Sequence, residues 1–545
     1  MRVAVPFLCV LTLSVGACAS PKASTRPVTT AAHAEGAPRA PLAWGTFSPE
    51  TFKRARAEGK YVVLDGSAEW CHWCHVMEAT TYHDPAVRKI LDAHFIAVKV
   101  DVDARPDIEE RYGDWGWPAT VIFAPDATEL GKHRGYIAPD KFAQILSEVV
   151  ASGAKDQRAN AAAGEATKVA PKTPLAEEQL AWIQHAVDVE LDDYWDEKRG
   201  GWGRTQKAPL GWDNAWMLRK AEQGDAEARQ KALFTLDAQS KLIDPVWGGI
   251  YQYSAASDWD HAHFEKLMTF QAPALDNYAT AYKLAREPRQ LERAKKMLAY
   301  IDRFMKGPEG GFYTTQDADL NAHDASKPFM TGHEYYALDE ARRLARGVPR
   351  IDKNEYGREN GLAIAAYTTM YEVTKDAAVL ASAERAAERV WDTHATSRGG
   401  ITHGPVPAAE RDRARLYLSD NAAFAFGLAR LYEATAKAVY LERAERLAEL
   451  MITELTDERG GGFFGHTKDD DAVGVFAVRR VPFEDNVMAV RALSKLARAT
   501  NKPAYSGAID RVLRAISTPE EIKARGRMLG DYLLALDESK DVRGK

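Results

Sequence analysis

Two cysteines separated by two residues are the side chains of this 545-residue chain best suited to chemistry. Cys71 and Cys74 follow the run 61–67 (YVVLDGS), which predicts a buried strand, and the stretch HVMEA after them can begin a helix. Cys71 is therefore expected at a helix N-terminus, where unpaired N–H groups and the helix dipole favour a thiolate. We predict that Cys71 is a nucleophile and that Cys74, one turn later, resolves the mixed disulfide.

Two other uses of a Cys-x-x-Cys motif are considered. The motif is half of a zinc site, but no second cysteine pair completes one, so further ligands would have to come from His72, His75 or His83. Cys71 to His75 also has the Cys-x-x-Cys-His form of covalent haem attachment. Because a helix packed on a sheet leaves no obvious haem crevice, we expect no metal and no cofactor other than the dithiol itself.

The dithiol lies in a segment that alternates strands and helices. Ser48 can cap a short first helix with a proline at its first position. This alternation predicts an α/β domain over residues 42–152. Residues 153–174 are Ala-rich and polar, have no apolar face and predict a linker. Within the domain, strands are predicted at 61–67, 95–103 and 119–126, and a closing helix at 140–149.

The N-terminal residues predict export. Residues 1–18 contain one arginine, a short apolar segment with Cys9, and small residues before Cys18, as in a secretory signal peptide. The last four resemble the lipobox of bacterial lipoproteins, which implies that Cys18 becomes an acylated first residue; ordinary signal-peptidase cleavage nearby is the alternative. Residues 19–41, rich in Ala, Pro, Ser and Thr, predict a flexible tether. We expect a lipid-anchored protein of the bacterial cell envelope that faces the periplasm.

Residues 175–545 have a different pattern, with long amphipathic helices separated by a recurring double-glycine motif. Such repeated helix pairs predict stacked hairpins closed into an α/α toroid, so the fold class is multidomain, α/β followed by all-α. An irregular all-α domain is the alternative. The net charge of -6, without a dense Lys/Arg run, excludes nucleic-acid binding. The second glycines of the motif are Gly201, Gly249, Gly311, Gly400 and Gly462.

The α/β segment resembles thioredoxin. In its Trp-Cys-x-x-Cys motif and its Asp84-Pro85 stretch, it also resembles the C-terminal domain of the exported disulfide reductases that pass electrons across bacterial inner membranes. The resemblance implies that Asp65, six residues before Cys71, takes or relays the proton of the resolving thiol. It also implies that Lys99 is the usual neighbour of this acid.

The same resemblance implies a cis peptide bond before Pro118, which would lie against the dithiol and present backbone groups to an incoming substrate strand. Pro118 therefore joins Cys71, Cys74 and Asp65 as a predicted catalytic residue. The side chains expected around the sulfurs are those of Trp70, His72, Trp73, Lys99 and Trp117.

Nearly the whole mature chain is similar to a family typified by spermatogenesis-associated protein 20, in which a thioredoxin-like domain precedes a helical ring like those of six-hairpin glycosidases and sugar epimerases. One departure is that the segments YGDWGWPATVIF and HRGYIAP are short, closer to plain thioredoxin. Functions tied to the family's inserts at these places are therefore not carried over. The matching stretches run from Cys71 to Met77, Arg105 to Asp107, Gly116 to Pro118, Gly248 to Tyr251, His263 to Lys266, Gly310 to Tyr313 and Asp317 to Asp319.

The inner helix ends and loops of such a ring form a concave pocket. Carboxylates there could act as acid and base on a glycoside, and histidines could move a proton in an epimerisation. The same residues have structural roles as alternatives, because acids near helix starts often cap them and tryptophans beside glycines often pack. The candidates are Trp247, Trp259, His261, His263, Glu265, Asp317, Asp319, His333 and Glu334.

Two functions follow from these patterns. The first is a membrane-tethered thiol-disulfide oxidoreductase that needs a disulfide-containing protein substrate and a partner that recharges the dithiol. Its toroid would bind substrate, glycan or partner. The second is a carbohydrate-binding or carbohydrate-processing protein, with a saccharide as ligand, in which the thioredoxin-like domain is ancillary.

Overall fold

The computed structural model describes residues 42–113, 116–152, 175–324 and 326–543. The predicted signal peptide, tether and linker, with Cys18, lie outside these residues. The first domain is built on a four-stranded sheet. The sheet has the order β2-β1-β3-β4, in which β1 is parallel to β2 and β3 is antiparallel to β1 and β4. Its strands are β1 (Tyr61–Ser67), β2 (Phe95–Asp101), β3 (Ala119–Phe123) and β4 (Glu129–Arg134), and its helices are α1 (Pro49–Glu58), α2 (His72–Thr80), α3 (Pro85–His94), α4 (Pro106–Tyr112) and α5 (Pro139–Ser152).

Strand β4 was absent from the sequence-based expectation, which contained three strands. Its sequence ELGKHR has no apolar run, and only Leu130 is buried. The strand lies at the edge of the sheet, where one side of the backbone has no neighbouring strand and polar side chains are tolerated. An edge strand of this kind leaves no periodic apolar signal in the sequence.

The two faces of the sheet pack against different partners. Side chains of β1 alternate, so that Val63 joins the core under α3 and α5, whereas Val62 and Leu64 join the core on the dithiol side. The dithiol-side core also contains Leu267 and Phe476, which belong to the helical part of the chain. The sheet is therefore covered on one face by its own helices and on the other partly by the second domain.

The helical part of the chain is a closed ring of six hairpins. Each inner helix packs against the next, and the last inner helix, α20, packs against the first, α7. Helix α6, the first of the domain, packs outside α20, so one hairpin is made from the two ends of the domain. The inner helices are α7 (Gly211–Glu222), α9 (Met268–Ala285), α13 (Gly357–Thr374), α15 (Leu418–Thr435), α17 (Phe483–Thr500) and α20 (Gly530–Ser539); the outer helices are α6 (Glu177–Asp193), α8 (Ala226–Gln239), α10 (Pro288–Tyr300), α14 (Ala377–His394), α16 (Ala438–Glu454) and α18 (Pro503–Ile516).

Short elements cover the end of the ring at which the inner helices begin. Among the described residues, no helix is both long and apolar enough to span a membrane. The short elements are β5 (Tyr253–Ser254), β6 (Ala262–His263), β7 (Lys266–Leu267), β8 (Thr315–Gln316), α11 (Gly332–Tyr336), α12 (Glu340–Arg346), β9 (Ile351–Asp352) and α19 (Pro519–Arg525).

The double-glycine motifs follow outer helices α6, α8, α10, α14 and α16 and form tight turns. Gly248 and Gly249 show why glycine is needed, because both have positive φ values, 75° and 73°. A Cβ atom on Gly249 would lie 2.5 Å from the Tyr300 ring. The motif thus brings the chain close against α10, the outer helix of the next hairpin.

An amide side chain from an inner helix fixes four of these turns. In the first, Gln271 Oε1 accepts from Ile250 N at 2.7 Å and Gln271 Nε2 donates to Ile250 O at 2.6 Å. Each pair satisfies one buried N–H and one buried C=O that no secondary structure would otherwise pair. The same two bonds join Asn360 to Phe312, Asn421 to Ile401 and Asn486 to Phe463.

Replacing this amide with an apolar side chain of similar length should destabilise the toroid. We expect Gln271→Met to lower the free energy of unfolding by about 2–4 kcal/mol, because the N–H and C=O of Ile250 both remain buried and unpaired. The matched control is Gln230→Met on the exposed side of α8, which should change the free energy of unfolding by less than about 0.5 kcal/mol. Chemical unfolding followed by circular dichroism measures both, and equal effects would contradict the role of the amide.

Candidate functional site

The dithiol lies where the sequence predicts it, at the start of α2. Cys71 is the N-cap residue, and its Sγ accepts a hydrogen bond from Cys74 N at 3.2 Å. The two cysteines form a disulfide. Their exposed fractions are only 4% for Cys71 and 5% for Cys74. The pair is therefore placed for thiolate chemistry, but little of it is open to solvent.

Asp65 lies on β1 behind the dithiol and is buried. Loss of hydration raises its pKa to about 6, and the Lys99 ammonium and the Tyr82 hydroxyl partly offset this rise. Lys99 lies opposite Asp65 in the register of β2, as the resemblance implies, but its ammonium forms its ion pair with Glu78. A carboxyl group with this pKa can exchange a proton near neutral pH, as a proton relay requires.

The remaining predicted residues surround the same loop. The Trp117–Pro118 peptide bond is cis, as predicted. Trp70 Nε1 donates to Asp103 Oδ2 at 2.7 Å, which fixes the ring beside Cys71. Trp73 is the exposed member, with 42% of its surface accessible. The loop thus has a buried tryptophan, Trp70, and an exposed one, Trp73, next to the cysteines.

The helical domain covers the dithiol loop, which the sequence analysis did not anticipate. His72 Nδ1 lies 2.7 Å from Asp319 Oδ2, and His75 Nδ1 lies 3.5 Å from the same oxygen. Burial disfavours the imidazolium, but the hydrogen bond and charge of Asp319 outweigh it and raise the pKa of His72. Burial likewise opposes ionisation of Asp319, yet the two histidines hold its pKa well below the ordinary value. The histidines of the redox motif thus bind a carboxylate of the toroid.

Two arginines of the toroid contact helix α4 of the thioredoxin-like domain. Arg358 Nη1 lies 3.0 Å from Glu109 Oε2, and Arg415 Nη1 lies 2.7 Å from Asp107 Oδ2. These ion pairs are partly buried, so solvent screens them less than it screens pairs on an open surface. They add polar contacts to an interface whose apolar part is formed by Leu267 and Phe476.

A histidine of the toroid also contacts the thioredoxin-like domain. His403 Nε2 lies 2.7 Å from Asp103 O, and His403 Nδ1 lies 3.0 Å from Asp420 Oδ2. Although burial opposes protonation, Asp420 raises the pKa of His403 to about 9. The imidazolium therefore donates to a carboxylate of its own domain and to a carbonyl of the other domain at neutral pH.

A cavity of about 430 Å³ remains between the two domains, with Cys71 in its wall. The toroid contributes the buried carboxyl groups of Glu265 and Glu359 to the lining of this cavity. Burial raises the pKa of Glu265 to about 7. The cavity therefore combines the Cys71–Cys74 disulfide with an acid that can hold a proton near neutral pH. Other lining residues are Trp70, Trp73, Trp117, Tyr253, Leu267, Phe270, Thr315 and Arg358.

The toroid candidates divide between the domain junction and the surrounding structure. Glu265, Asp317 and Asp319 are buried beside the dithiol loop. His263 lies 4.0 Å from Glu265 and stacks on Tyr253, and burial lowers its pKa to about 4. These residues come from two separate segments that the ring brings together.

Of the toroid candidates, only Glu265 is among the residues that line the cavity, which corrects the expectation that the others contribute to it. Trp247 packs against Phe304 in the core. Trp259 Nε1 donates to a backbone carbonyl and the ring lies against Gly201. Glu334 has a structural role, because it caps α11 together with Thr331. His333 is exposed on the same helix, and His261 is exposed beside Asp258.

Several residues of the site were missed by the sequence analysis. Tyr253, Arg358 and Glu359 line the cavity, and His323 lies beside Asp317. Arg358 and Glu359 stand at the start of α13 and have no glycine motif next to them. The start of an inner helix is the signal that would have found them, because all inner helices begin at the same end of the ring.

These features define a thioredoxin-like domain joined to a six-hairpin α/α toroid, with the dithiol facing the toroid. Residues 30–167 match the family model Thioredox_DsbH, described as a protein of unknown function, DUF255. Residues 339–526 match the model of Glycosyl Hydrolase Family 88. Among solved structures, D-mannose isomerase is similar with a TM-score of 0.50 and 11% identity, over 67% of this chain and 97% of that protein. The predicted fold class and the predicted combination of domains are confirmed.

Two relatives cover different parts of the chain. Spermatogenesis-associated protein 20 of Homo sapiens is 26% identical over 332 residues, which cover 56% of this chain and 42% of that protein. Thiol:disulfide interchange protein DsbD 1 of Pseudomonas aeruginosa is 29% identical over 136 residues, 23% of this chain and 21% of that protein. The chain thus spans less than half the length of either relative.

The raised pKa of Asp65 predicts how its substitution changes stability with pH. The folded state holds this proton more tightly than the unfolded chain, whose aspartate titrates near 4, so the stability gained from the protonated form is present below pH 4 and is lost as pH rises through about 6. Asp65→Asn removes this loss. We therefore expect the variant to be about 1–3 kcal/mol more stable than the parent at pH 7.5 and nearly equal to it at pH 4.

Chemical unfolding at both pH values measures this difference. Asp140→Asn is the matched control, because Asp140 is an exposed acid of α5, and it should show no such pH dependence. A stability difference for Asp65→Asn that is the same at both pH values would contradict the buried, proton-holding carboxyl group.

Proposed function

We propose that the protein is a thiol-disulfide oxidoreductase whose substrate reaches Cys71 through the cavity between the two domains. The observation that carries this proposal is the position of Cys71, which caps a helix, is bonded to Cys74 and forms part of the cavity wall. The similarity to a thiol:disulfide interchange protein over the first domain supports the same chemistry.

In the reducing direction, the Cys71 thiolate attacks one sulfur of a substrate disulfide. A Cys71–substrate disulfide forms, and the other substrate sulfur leaves as a thiolate that takes up a proton. Cys74 then loses its proton to Asp65 and attacks Cys71, which releases the second substrate thiol and forms the Cys71–Cys74 disulfide. The substrate gains two electrons and the protein loses two, so a thiol partner must reduce the dithiol again.

The toroid supplies the selectivity in this proposal. With Cys71 and Cys74 almost completely buried, a folded protein cannot press its surface onto the dithiol as long as the domains stay together. A cavity of about 430 Å³ is large enough for a small disulfide or an extended loop that carries one. Small and flexible disulfides are therefore the substrate class that this geometry favours.

The proposed place of action is the periplasmic side of the bacterial envelope. The secretory pattern of residues 1–18 and the lipobox-like residues before Cys18 support export and acylation. Mass spectrometry of the mature N-terminus from the native host tests this part: an acylated Cys18 as first residue is expected, and an unmodified start elsewhere would remove the lipid anchor.

Redox titration of the purified protein in glutathione buffers tests the oxidoreductase. We expect Cys71 and Cys74 to exchange with the buffer as one two-electron couple, and the reduced protein to reduce oxidised glutathione faster than it reduces insulin, because the toroid restricts access. Cys71→Ser should abolish both activities, since the nucleophile is lost.

Cys74→Ser provides a second readout and a control. It should accumulate a mixed disulfide on Cys71 that mass spectrometry identifies, because no resolving thiol remains. Cys71→Ser should accumulate none. A dithiol that neither exchanges with glutathione nor forms a mixed disulfide in the Cys74→Ser variant would exclude this function.

A saccharide ligand is the second candidate, and Glu265 favours it. Its raised pKa, the nearby carboxyl group of Glu359 and the Tyr253 ring give the cavity wall groups that bind or process sugars. Glu265→Gln should weaken glycan binding or turnover at least tenfold if this candidate holds. Unchanged glycan binding and turnover in the variant would count against it, without affecting the redox test.

A further inference from the structure

Four polar atoms converge at the junction between the dithiol loop and the toroid. His75 Nε2 and His323 Nε2 lie 3.0 Å and 2.8 Å from the same backbone oxygen, that of Glu69. The same two nitrogens lie 3.8 Å and 3.3 Å from Asp317 Oδ2. Two imidazole nitrogens, a carboxylate oxygen and a carbonyl oxygen therefore surround one point.

One oxygen of the carboxylate at this point lacks a hydrogen bond in the described part of the chain, whereas the other, Asp317 Oδ1, accepts from Asp319 N at 2.9 Å. Asp317 is 2% exposed, and among the described residues its Oδ2 accepts no hydrogen bond of acceptable geometry. A buried carboxylate oxygen without a partner costs folding free energy, so a native structure usually supplies one. The oxygen is directed at the two histidines, where a cation between them would satisfy it.

The spacing of the four atoms suits a divalent transition ion. A tetrahedral ion with bonds of about 2.0–2.2 Å keeps its ligand atoms roughly 3.3–3.6 Å apart. The four nitrogen–oxygen separations, 2.8 to 3.8 Å, bracket these values, and the ligand atoms of His75, Asp317 and His323 all lie within 4.8 Å of one another. Two nitrogen and two oxygen ligands are a set that Zn²⁺ and its first-row neighbours accept.

Neighbouring groups support the same arrangement. The second ring nitrogen of His75, Nδ1, lies 3.5 Å from Asp319 Oδ2, and such a carboxylate commonly orients a metal-binding imidazole. The nearby cation, Arg350, pairs with the side chain of Glu69 at 2.6 Å, so its charge is balanced. The site therefore has an oriented ligand, and the positive charge of Arg350 beside it is balanced.

We propose that His75, Asp317, His323 and the carbonyl group of Glu69 bind one divalent transition-metal ion between the two domains. Glu69 and His75 flank the dithiol motif, whereas the other two ligands belong to the toroid. The ion would hold the dithiol loop in position against the cavity. The proposal does not depend on the oxidoreductase activity, because none of the ligands is a reacting group.

Isothermal titration of the untagged full-length protein with Zn²⁺ after chelator treatment tests the site. The protein carries Cys9→Ser, Cys18→Ser, Cys71→Ser and Cys74→Ser, so that free thiols cannot bind the ion. We expect one Zn²⁺ per chain, and a loss of affinity of at least about tenfold in His323→Ala and in Asp317→Asn. The control His333→Ala, an exposed histidine of the same domain, should bind as the parent does.

A second variant is read by a gain of signal, so that a loss of affinity caused by misfolding is not mistaken for loss of a ligand. In the same background, His323→Cys with Co²⁺ should show a sulfur-to-cobalt charge-transfer band, which appears only if residue 323 binds the ion directly. Absence of stoichiometric binding in the parent, unchanged affinity in His323→Ala, or absence of the band in His323→Cys would each overturn the proposal. Because redox activity is not measured, failure here is distinct from failure of the proposed function.

Discussion

Burial of the dithiol face against the toroid is the constraint on which the other features of the site depend. A thioredoxin-like domain carries its reactive cysteine on a surface loop at a helix start, and such a loop is normally free to meet a substrate. Here His72 and His75 instead bind Asp319, and Asp103 accepts from His403. These contacts hold the dithiol loop against the second domain, where Cys71 and Cys74 are buried and Cys71 lines a cavity that both domains enclose.

The shared cavity links two kinds of chemistry. In the proposed function Cys71 exchanges electrons in pairs, and Glu265, which lines the same cavity, can hold or release a proton near neutral pH. Burial at the domain junction is the cause of the raised pKa of Glu265. A ligand in this cavity would lie close to both Cys71 and Glu265, whichever of the two groups reacts with it.

The sequence predicts the elements better than their assembly. Local signals identify the strand before Cys71, the helix after it and the glycine turns, because each depends on neighbouring residues. Strand β4 lacks such a signal. The pairing of His72 with Asp319 was also out of reach, since the two residues lie on different domains and only docking brings them together. Trp247 was placed in the pocket because an aromatic residue beside a glycine motif looks the same in a core as in a cavity.

Closure of the ring by its two ends has a consequence for the order of folding. Helix α6 is made long before α20, on which it packs, and Arg543 pairs with Glu177 across this seam. The thioredoxin-like domain depends on contacts within its own short stretch and can form while synthesis continues. The toroid cannot close until α20 has been made, and contacts of such long sequence separation are slow to form. Until then the toroid contacts that bury Cys71 and Cys74 are incomplete, and the dithiol loop is more exposed than in the closed ring.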